Sequence, residues 1–176
     1  MGQKSVVVIG GGAAGLMAAL AASRQGAQVT LLEQNPRVGK KLLATGNGRC
    51  NYTNINLTPD HFHGSDPAFV KTVLDRFPGP QTLEFFRDLG LEPQVEEAGK
   101  VFPASGQASS VLDVLRYQAD YEGVATVCNT KVRSLHRKGS LYTINTAVGT
   151  FKGDAVLIAT GGKAGPQFGC SGTGYG

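Results

Sequence analysis

The run Val6-Val7-Val8-Ile9-Gly10-Gly11-Gly12-Ala13-Ala14-Gly15 constrains this chain more than any other feature. Four β-branched residues in a row suit a short strand buried on both faces, and the glycines directly after it mark a tight turn. Ala13 to Arg24 then has the composition of a helix, Gly26 stops it, and Gln28 to Glu33 reads as a second parallel strand. Lys4 followed by apolar Val6 to Ala22 imitates a secretory leader, but Gly10, Gly11, Gly12 and Gly15 would break the apolar helix a leader needs.

Within this unit Gly10-Gly11-Gly12-Ala13-Ala14-Gly15 matches G-x-G-x-x-G, and Glu33 lies 23 residues beyond Gly10 at the end of the next strand. Gly10 allows the turn, Gly12 lets a diphosphate approach the backbone, and Gly15 lets helix and strand pack closely. The N–H groups and positive dipole end of the helix hold the phosphates. Glu33 is placed to accept hydrogen bonds from ribose hydroxyls, which suits an adenosine without a 2′-phosphate. On these residues alone NAD and FAD fit equally.

The length of 176 residues is that of one ordinary domain, and no run of 18 apolar residues lacks glycine, which excludes a simple membrane span. Cys50, Cys128 and Cys170 are odd in number and widely spaced, which argues against a disulfide framework or zinc site and for a reduced, cytoplasmic setting. Charge is divided by segment. Asp60 to Glu122 holds 11 of the 13 acids and five bases, a net of −6, while the rest carries +10. No acid occurs between Gln34 and Pro59 or between Gly123 and Gly153, so both stretches favour an anionic ligand. They have few interleaved aromatics beyond Tyr52, Tyr142 and Phe151, which disfavours nucleic acid and leaves a phosphate-bearing small molecule as the expected partner.

The segment after the second strand separates the two cofactors. Asn35 to Asn56 is polar, basic, glycine-punctuated and aperiodic, and reads as a long ordered loop able to wrap an extended cofactor. Its core, Arg37-Val38-Gly39-Lys40-Lys41-Leu42-Leu43-Ala44-Thr45-Gly46-Asn47-Gly48-Arg49-Cys50-Asn51-Tyr52-Thr53-Asn54, resembles the signature of the aminoacetone oxidase-like, or BaiN-like, NAD(P)/FAD-dependent oxidoreductases. Val156-Leu157-Ile158-Ala159-Thr160-Gly161-Gly162 resembles the strand and ATGG turn that flavoproteins of this class place beside FAD. The closing Pro166 to Gly176 is similar too, but the family pattern of serine, threonine and aspartate at 170, 171 and 173 is here Cys170, Ser171 and Thr173, so no acid role carries over.

The resemblance implies an α/β, Rossmann-like FAD-binding domain of the two-dinucleotide-fold flavoprotein type: a parallel sheet with helices, plus a small antiparallel insert. It implies that Gly10, Gly12, Ala13, Ala14, Gly15, Glu33 and Gln34 hold the ADP half and that Lys41 lies near phosphate or ribose. Gly48, Arg49, Cys50 and Asn51 would line the path to the flavin ring, where Arg49 would favour an anionic reduced flavin. Backbone at Lys131 and Val132 would pair with adenine, and Ala159, Thr160, Gly161 and Gly162 would border the pyrophosphate and ribityl chain. Cys50 reads as a small buried hydrophobe rather than a nucleophile.

The chain divides on this reading into a βαβ start with the cofactor loop (1–59), an acidic, mostly helical segment (60–122), a small antiparallel sheet (123–153), and the ATGG strand with a glycine-rich loop (154–176). In the acidic segment Asp66 to Phe77 and Pro80 to Leu89 have helical spacing, with Phe69, Val73, Leu74 and Phe77, then Leu83, Phe86 and Leu89, as core stripes. Glu92 to Phe102 suggests a strand pair. Ser109 to Tyr121 suggests a helix capped by Ser109 or Ser110, with Asp113 in its first turn. His61 and His63 lack a third ligand motif, so no metal is expected. Ala125 to Cys128, Lys131 to Arg137, Leu141 to Asn145 and Thr150 to Phe151 alternate as strands of the antiparallel sheet. Seven of the last 16 residues are glycine and no element comes after them, so the domain reads as incomplete at its C-terminus and the substrate domain as absent.

The function expected is that of an FAD-dependent oxidoreductase, or its N-terminal FAD-binding part, acting on a small organic substrate with NAD(P)H as a candidate electron donor. No residue is assigned as acid, base or nucleophile. Two alternatives stay open on the sequence: a non-catalytic nucleotide- or RNA-binding flavoprotein module, and an NAD-dependent Rossmann dehydrogenase, against which no YxxxK pattern occurs.

Overall fold

The computed structural model describes residues 2–64, 66–169, 172 and 174. The family-like loop at Cys170, Ser171 and Thr173 lies outside them. The chain forms two compact units, Met1–Leu42 with Leu115–Gly176, and Leu43–Val114.

The first unit is built on a four-stranded parallel sheet. β1 (Ser5–Ile9) leads through α1 (Ala13–Arg24) to β2 (Gln28–Leu32), and the sheet order is β10-β1-β2-β6, with β6 at Ala125–Val127 and β10 at Ala155–Ile158. β1 occupies the centre because its valines bury on both faces: Val7 and Val8 are 2% and 0% exposed. α1 lays Leu16, Ala19 and Leu20 into the core. An antiparallel sheet, β7 (Val132–Lys138), β8 (Leu141–Thr146) and β9 (Thr150–Gly153), sets Leu135, Tyr142, Ile144 and Phe151 against Val7, Ile9 and Leu32.

The expected antiparallel sheet thus holds three of its four segments. Ala125–Val127 pairs parallel with β2 instead, Thr30 opposite Ala125 and Leu32 opposite Val127. Arriving from a helix, α4 (Ala108–Tyr121), it has the crossover that a parallel partner requires.

The second unit contains β3 (Thr53–Asn54), β5 (Lys100–Pro103) and β4 (Pro93–Val95) in antiparallel order β3-β5-β4, with α2 (Pro67–Arg76) and α3 (Gly79–Asp88). The expected long loop therefore contains β3, and also 3-10 turns over Leu42–Gly48. Asp66 caps α2 by accepting a hydrogen bond from Phe69 N at 3.1 Å. The stripe on α2 is not core: Phe69, Val73 and Phe77 are 66%, 48% and 39% exposed. Periodicity tells which residues share a face but not whether a layer covers it, and α2 packs against the short 3-10 turn Pro59–His61. On α3 the expectation holds for Phe86, which is buried and in edge contact with Phe85, while Leu83 and Leu89 are half-buried.

α4 begins one residue before the expected cap, so Ser109 and Ser110 lie inside its first turn and bond to Gln107 and Ser105 rather than cap the helix. The same shift leaves no acid in the first turn, and Asp113 lies beyond it.

Two tight contacts set the geometry of β1. A Cβ on Gly15 would run into the carbonyl oxygen of Gly10, so α1 approaches the turn closely enough to exclude any side chain. At the other end Asp154 accepts from Ser5 N and Oγ, both at 2.8 Å. Gly15→Ala is expected to destabilise the protein by about 2 kcal/mol or more, because the obstacle is backbone and cannot rotate away; urea unfolding measures it. The hydrogen bonds from Ser5 hold the Asp154 carboxyl below its ordinary range. Its stabilising contribution is therefore present at neutral pH and lost as pH falls through its folded-state pKa. Asp154→Asn should flatten the acid limb of the stability–pH curve, read from melting temperatures across that limb.

Candidate cofactor site

The turn between β1 and α1 has three glycines with three different surroundings. Gly10 has φ +108° and a Cβ there would strike the Ala159 carbonyl oxygen, so the turn is wedged against the end of β10. A Cβ on Gly11 would lie 2.5 Å from Val38 Cγ1. Beside Gly12 there is nothing within 4 Å: this is the position at which the backbone is open to a ligand.

Gly12 is also the N-cap of α1 and makes no side-chain cap, and the first turn holds no acid. The first intrahelical bond runs from Leu16 N to Gly12 O at 2.9 Å, so the N–H groups of Ala13, Ala14 and Gly15 have no intrahelical acceptor. Ala13 and Ala14 are exposed. An uncapped, acid-free helix end beside an open glycine fits a diphosphate on both charge and room.

Glu33, 7% exposed, directly follows β2 and lies under this turn. Its Oε2 accepts from Gly11 N at 2.7 Å, and its Oε1 accepts from Asn35 N at 2.8 Å and Asn35 Nδ2 at 2.6 Å. Three N–H donors leave one of about four carboxylate acceptor positions for a ribose hydroxyl. Gly11 and Asn35 are site residues that the sequence does not single out. Gly11 occupies a free x of the pattern, and Asn35 carries no motif.

Thr130 N donates to Glu33 O at 2.8 Å and Asn129 N to Asn35 O at 3.0 Å, which brings the start of β7, and with it Lys131 and Val132, beside the Glu33 corner. Ala159 N donates to Ile9 O at 2.8 Å, which sets Thr160, Gly161 and Gly162 just beyond the paired end of β10. Gln34 Nε2 donates to Gly169 O at 3.0 Å, and Lys41 Nζ to Ala164 O at 2.8 Å. Both side chains tie down the segment after the ATGG turn.

The remaining candidates, Gly48, Arg49, Cys50 and Asn51, belong to the second unit. Gly46, Asn47, Gly48 and Cys50 all have positive φ, and the turn closes through Arg49 N to Gly46 O and Cys50 N to Thr45 O. The Arg49 guanidinium pairs with both oxygens of Glu96 and lies 4.2 Å from the Phe102 ring centroid. The shared hydrogen bonds raise Arg49 above its ordinary pKa and hold the Glu96 carboxyl below the usual carboxylate range. Glu96 and Phe102, 47 and more residues away, had no sequence signal linking them to Arg49. Cys50 is buried, and burial pushes its thiol up, against a smaller opposing effect of Thr45. Asn51 is assigned with its amide nitrogen toward Val101 O and Thr53 O, at 3.1 and 2.7 Å.

Among the described residues no three His, Cys, Asp or Glu side chains gather as metal ligands, and no helix is long and apolar enough to cross a membrane. Glu33→Gln tests the buried corner. The amide cannot accept from all three donors, so a loss of about 1–3 kcal/mol is expected in urea unfolding.

Comparison with known proteins agrees with this architecture. The 3-dehydro-bile acid delta(4,6)-reductase of Clostridium scindens is 42% identical over 170 residues, covering 96% of this chain and 41% of that protein. The ribosomal RNA dihydrouridine synthase of Escherichia coli is 28% identical over 175 residues, covering 99% and 44%. The chain thus spans less than half the length of these curated relatives. Among solved structures, THI4 of Thermovibrio ammonificans superposes with a TM-score of 0.57 at 16% identity, over 90% of this chain and 58% of that one. BexE gives 0.57 at 17%, over 92% and 32%. At such identity the likeness is one of fold. Residues 4–176 match the HI0933-like protein Rossmann domain, and the chain belongs to that family.

Proposed function

We propose that this chain is the FAD-binding part of an oxidoreductase that reduces an electron-poor carbon–carbon double bond of a small organic substrate, hydride going to one carbon and a solvent-derived proton to the other, with NAD(P)H supplying the hydride. The observation that carries the reading is the open Gly12 at an uncapped, acid-free helix end above the buried Glu33. When bound, FAD supplies a ring that takes up and releases hydride at N5.

The chain's own residues bind and orient. The N–H groups of Ala13 and Ala14 receive the diphosphate, the last acceptor position of Glu33 receives a ribose hydroxyl, and the backbone of Lys131 and Val132 serves adenine. Ala159 to Gly162 border the linker between the two halves of the cofactor. Within the second unit, Arg49 of the Gly48–Asn51 turn is held in one orientation by Glu96 and Phe102. The curated relatives support redox chemistry of this kind, since the names of both the bile acid reductase and the dihydrouridine synthase describe hydrogen added to an unsaturated bond. The small-molecule reading rests on the relative at 42% identity.

FAD titration of the recombinant protein, followed by quenching of flavin fluorescence, tests the proposal. Saturation at one FAD per chain is expected, and protein that stays colourless with excess FAD overturns it. Gly12→Ala should weaken FAD by about tenfold or more while the melting temperature without FAD stays the same, because the added methyl meets ligand rather than protein.

A further inference from the structure

The antiparallel sheet of β7, β8 and β9 has one face that the core does not use. Leu135, Tyr142, Ile144 and Phe151 pack inward with Val7, Ile9 and Leu32, so His136 and Lys138 on β7, Leu141 and Thr143 on β8, and Lys152 on β9 share the outward face. Register sets His136, Thr143 and Lys152 in one row across the three strands and puts Lys138 directly opposite Leu141. Arg133 stands at the bulge between Val132 and Ser134. The tip of the β7–β8 hairpin adds Arg137, whose Nε donates to Gly139 O at 3.0 Å and whose guanidinium lies over the Tyr142 ring. Arg133, His136, Arg137, Lys138 and Lys152 are all exposed, and no acid occurs between Gly123 and Gly153. The next acid along the chain, Asp154, is turned to Ser5 and Lys4. Two apolar side chains are exposed among these bases: Leu141, 41% exposed, on the face itself, and Val148, 62% exposed, in the β8–β9 turn at the other end of β8.

An ordinary solvated face mixes both signs of charge. This one carries bases only, and folding leaves Leu141 in water beside them. We infer that the outward face of the sheet docks on the headgroup plane of an anionic phospholipid bilayer. Its charge complements a layer of phosphodiesters, and each exposed base within reach of that layer adds to the attraction. The side chains of Arg133, His136, Lys138 and Lys152 make no ion pair among the described residues, so they are available to headgroups that move to meet them. Lys138 and Leu141, paired across the hairpin, suit the two layers of a bilayer surface: an ammonium stays among the phosphates while a lysine stem and a leucine face the acyl boundary. With one exposed apolar side chain at each end of β8, the sheet seats flat rather than on a single tip. Attachment is electrostatic and reversible, because two apolar side chains bury too little to anchor the chain. A nucleic-acid backbone would draw on the same bases but leave Leu141 and Val148 without a counterpart, and the face offers no aromatic ring to stack on a base, since Tyr142 and Phe151 point inward. The inference goes beyond the redox reading and stands independently of it.

The test is flotation of the full chain, in the presence of FAD, with vesicles of phosphatidylcholine containing phosphatidylglycerol and with vesicles of phosphatidylcholine alone, over a range of salt. Wild-type protein should float with the anionic vesicles at low salt, lose that binding as salt rises, and stay behind from the neutral ones. The variant R133E/K138E/K152E leaves Lys131 and every other candidate cofactor residue in place, and should bind anionic vesicles about tenfold or more weakly. R133K/K138R/K152R should bind like wild type, and Leu141→Ser should bind about threefold more weakly. Should the charge reversal misfold by circular dichroism, R133Q/K138Q/K152Q replaces it with the same expectation. Equal vesicle affinity of wild type and the charge-changed variant overturns the inference, as does full binding by Leu141→Ser, equal binding to neutral vesicles, or binding to an RNA duplex without binding to anionic vesicles. FAD binding measured on the same samples keeps the two readings apart, since loss of vesicle binding with FAD retained bears on the sheet alone.

Discussion

The approach of α1 to the turn at Gly10 is the constraint on which the rest of the first unit depends. Gly15 lies so close to the Gly10 carbonyl that no side chain fits, and Gly10 in turn abuts the Ala159 carbonyl. Three backbone segments, the end of β1, the start of α1 and the end of β10, therefore meet without side chains between them. A helix whose end is pressed onto the sheet in this way points its free N–H groups at one fixed place. Distance and direction of the helix dipole are set by packing, before any ligand arrives, and a preorganised site loses little on binding.

The same corner depends on a buried charge that is fully surrounded. Glu33 would be costly at 7% exposure if it lacked partners, yet it faces three N–H donors within 2.8 Å. One of those donors is Gly11, in the middle of the glycine turn, so the carboxylate fastens the turn to the end of β2. The residue read as a ribose partner is thus a structural brace, and the bracing leaves one acceptor position of its carboxylate unused. Arg49 shows the same economy in the second unit. Its charge is matched by Glu96 and its plane is supported by Phe102, which fixes the guanidinium in place at the cost of some of its field.

How much of this was legible in the sequence depends on whether a feature is local. α1 is found over Ala13–Arg24 as expected because glycines bracket it, and a glycine's effect on the backbone acts within a residue or two. The strand pair β4–β5 and the start of the α2 segment at Asp66 were legible because their signals are local too, whereas the Asp66 cap itself came from the structure. The α2 stripe was misread because burial is decided by what lies opposite, and α4 starts a residue early, with the serines expected to cap it bonded to Gln107 and Ser105 instead. Ala125–Val127 alternates like any edge strand, and only its position after a helix foretells parallel pairing. In the site, the glycine turn and Glu33 are readable from spacing, whereas Asn35, Glu96 and Phe102 are tertiary partners with no spacing rule to reveal them.

The distribution of charge then has a structural meaning that the net value of +4 conceals. Acids are concentrated in 60–122, while the first unit's cofactor corner and its antiparallel sheet are left nearly free of them. An acid near the α1 end would oppose a diphosphate at the point where the helix dipole favours it, and the one acid among the described residues there, Glu33, is turned onto N–H donors of Gly11 and Asn35. On the antiparallel sheet no such local reason exists, because its inward face is apolar and its outward face makes no ion pair among the described residues. A sheet inserted only for packing would tolerate either sign on its outer face. Uniform sign there is a property that packing does not require.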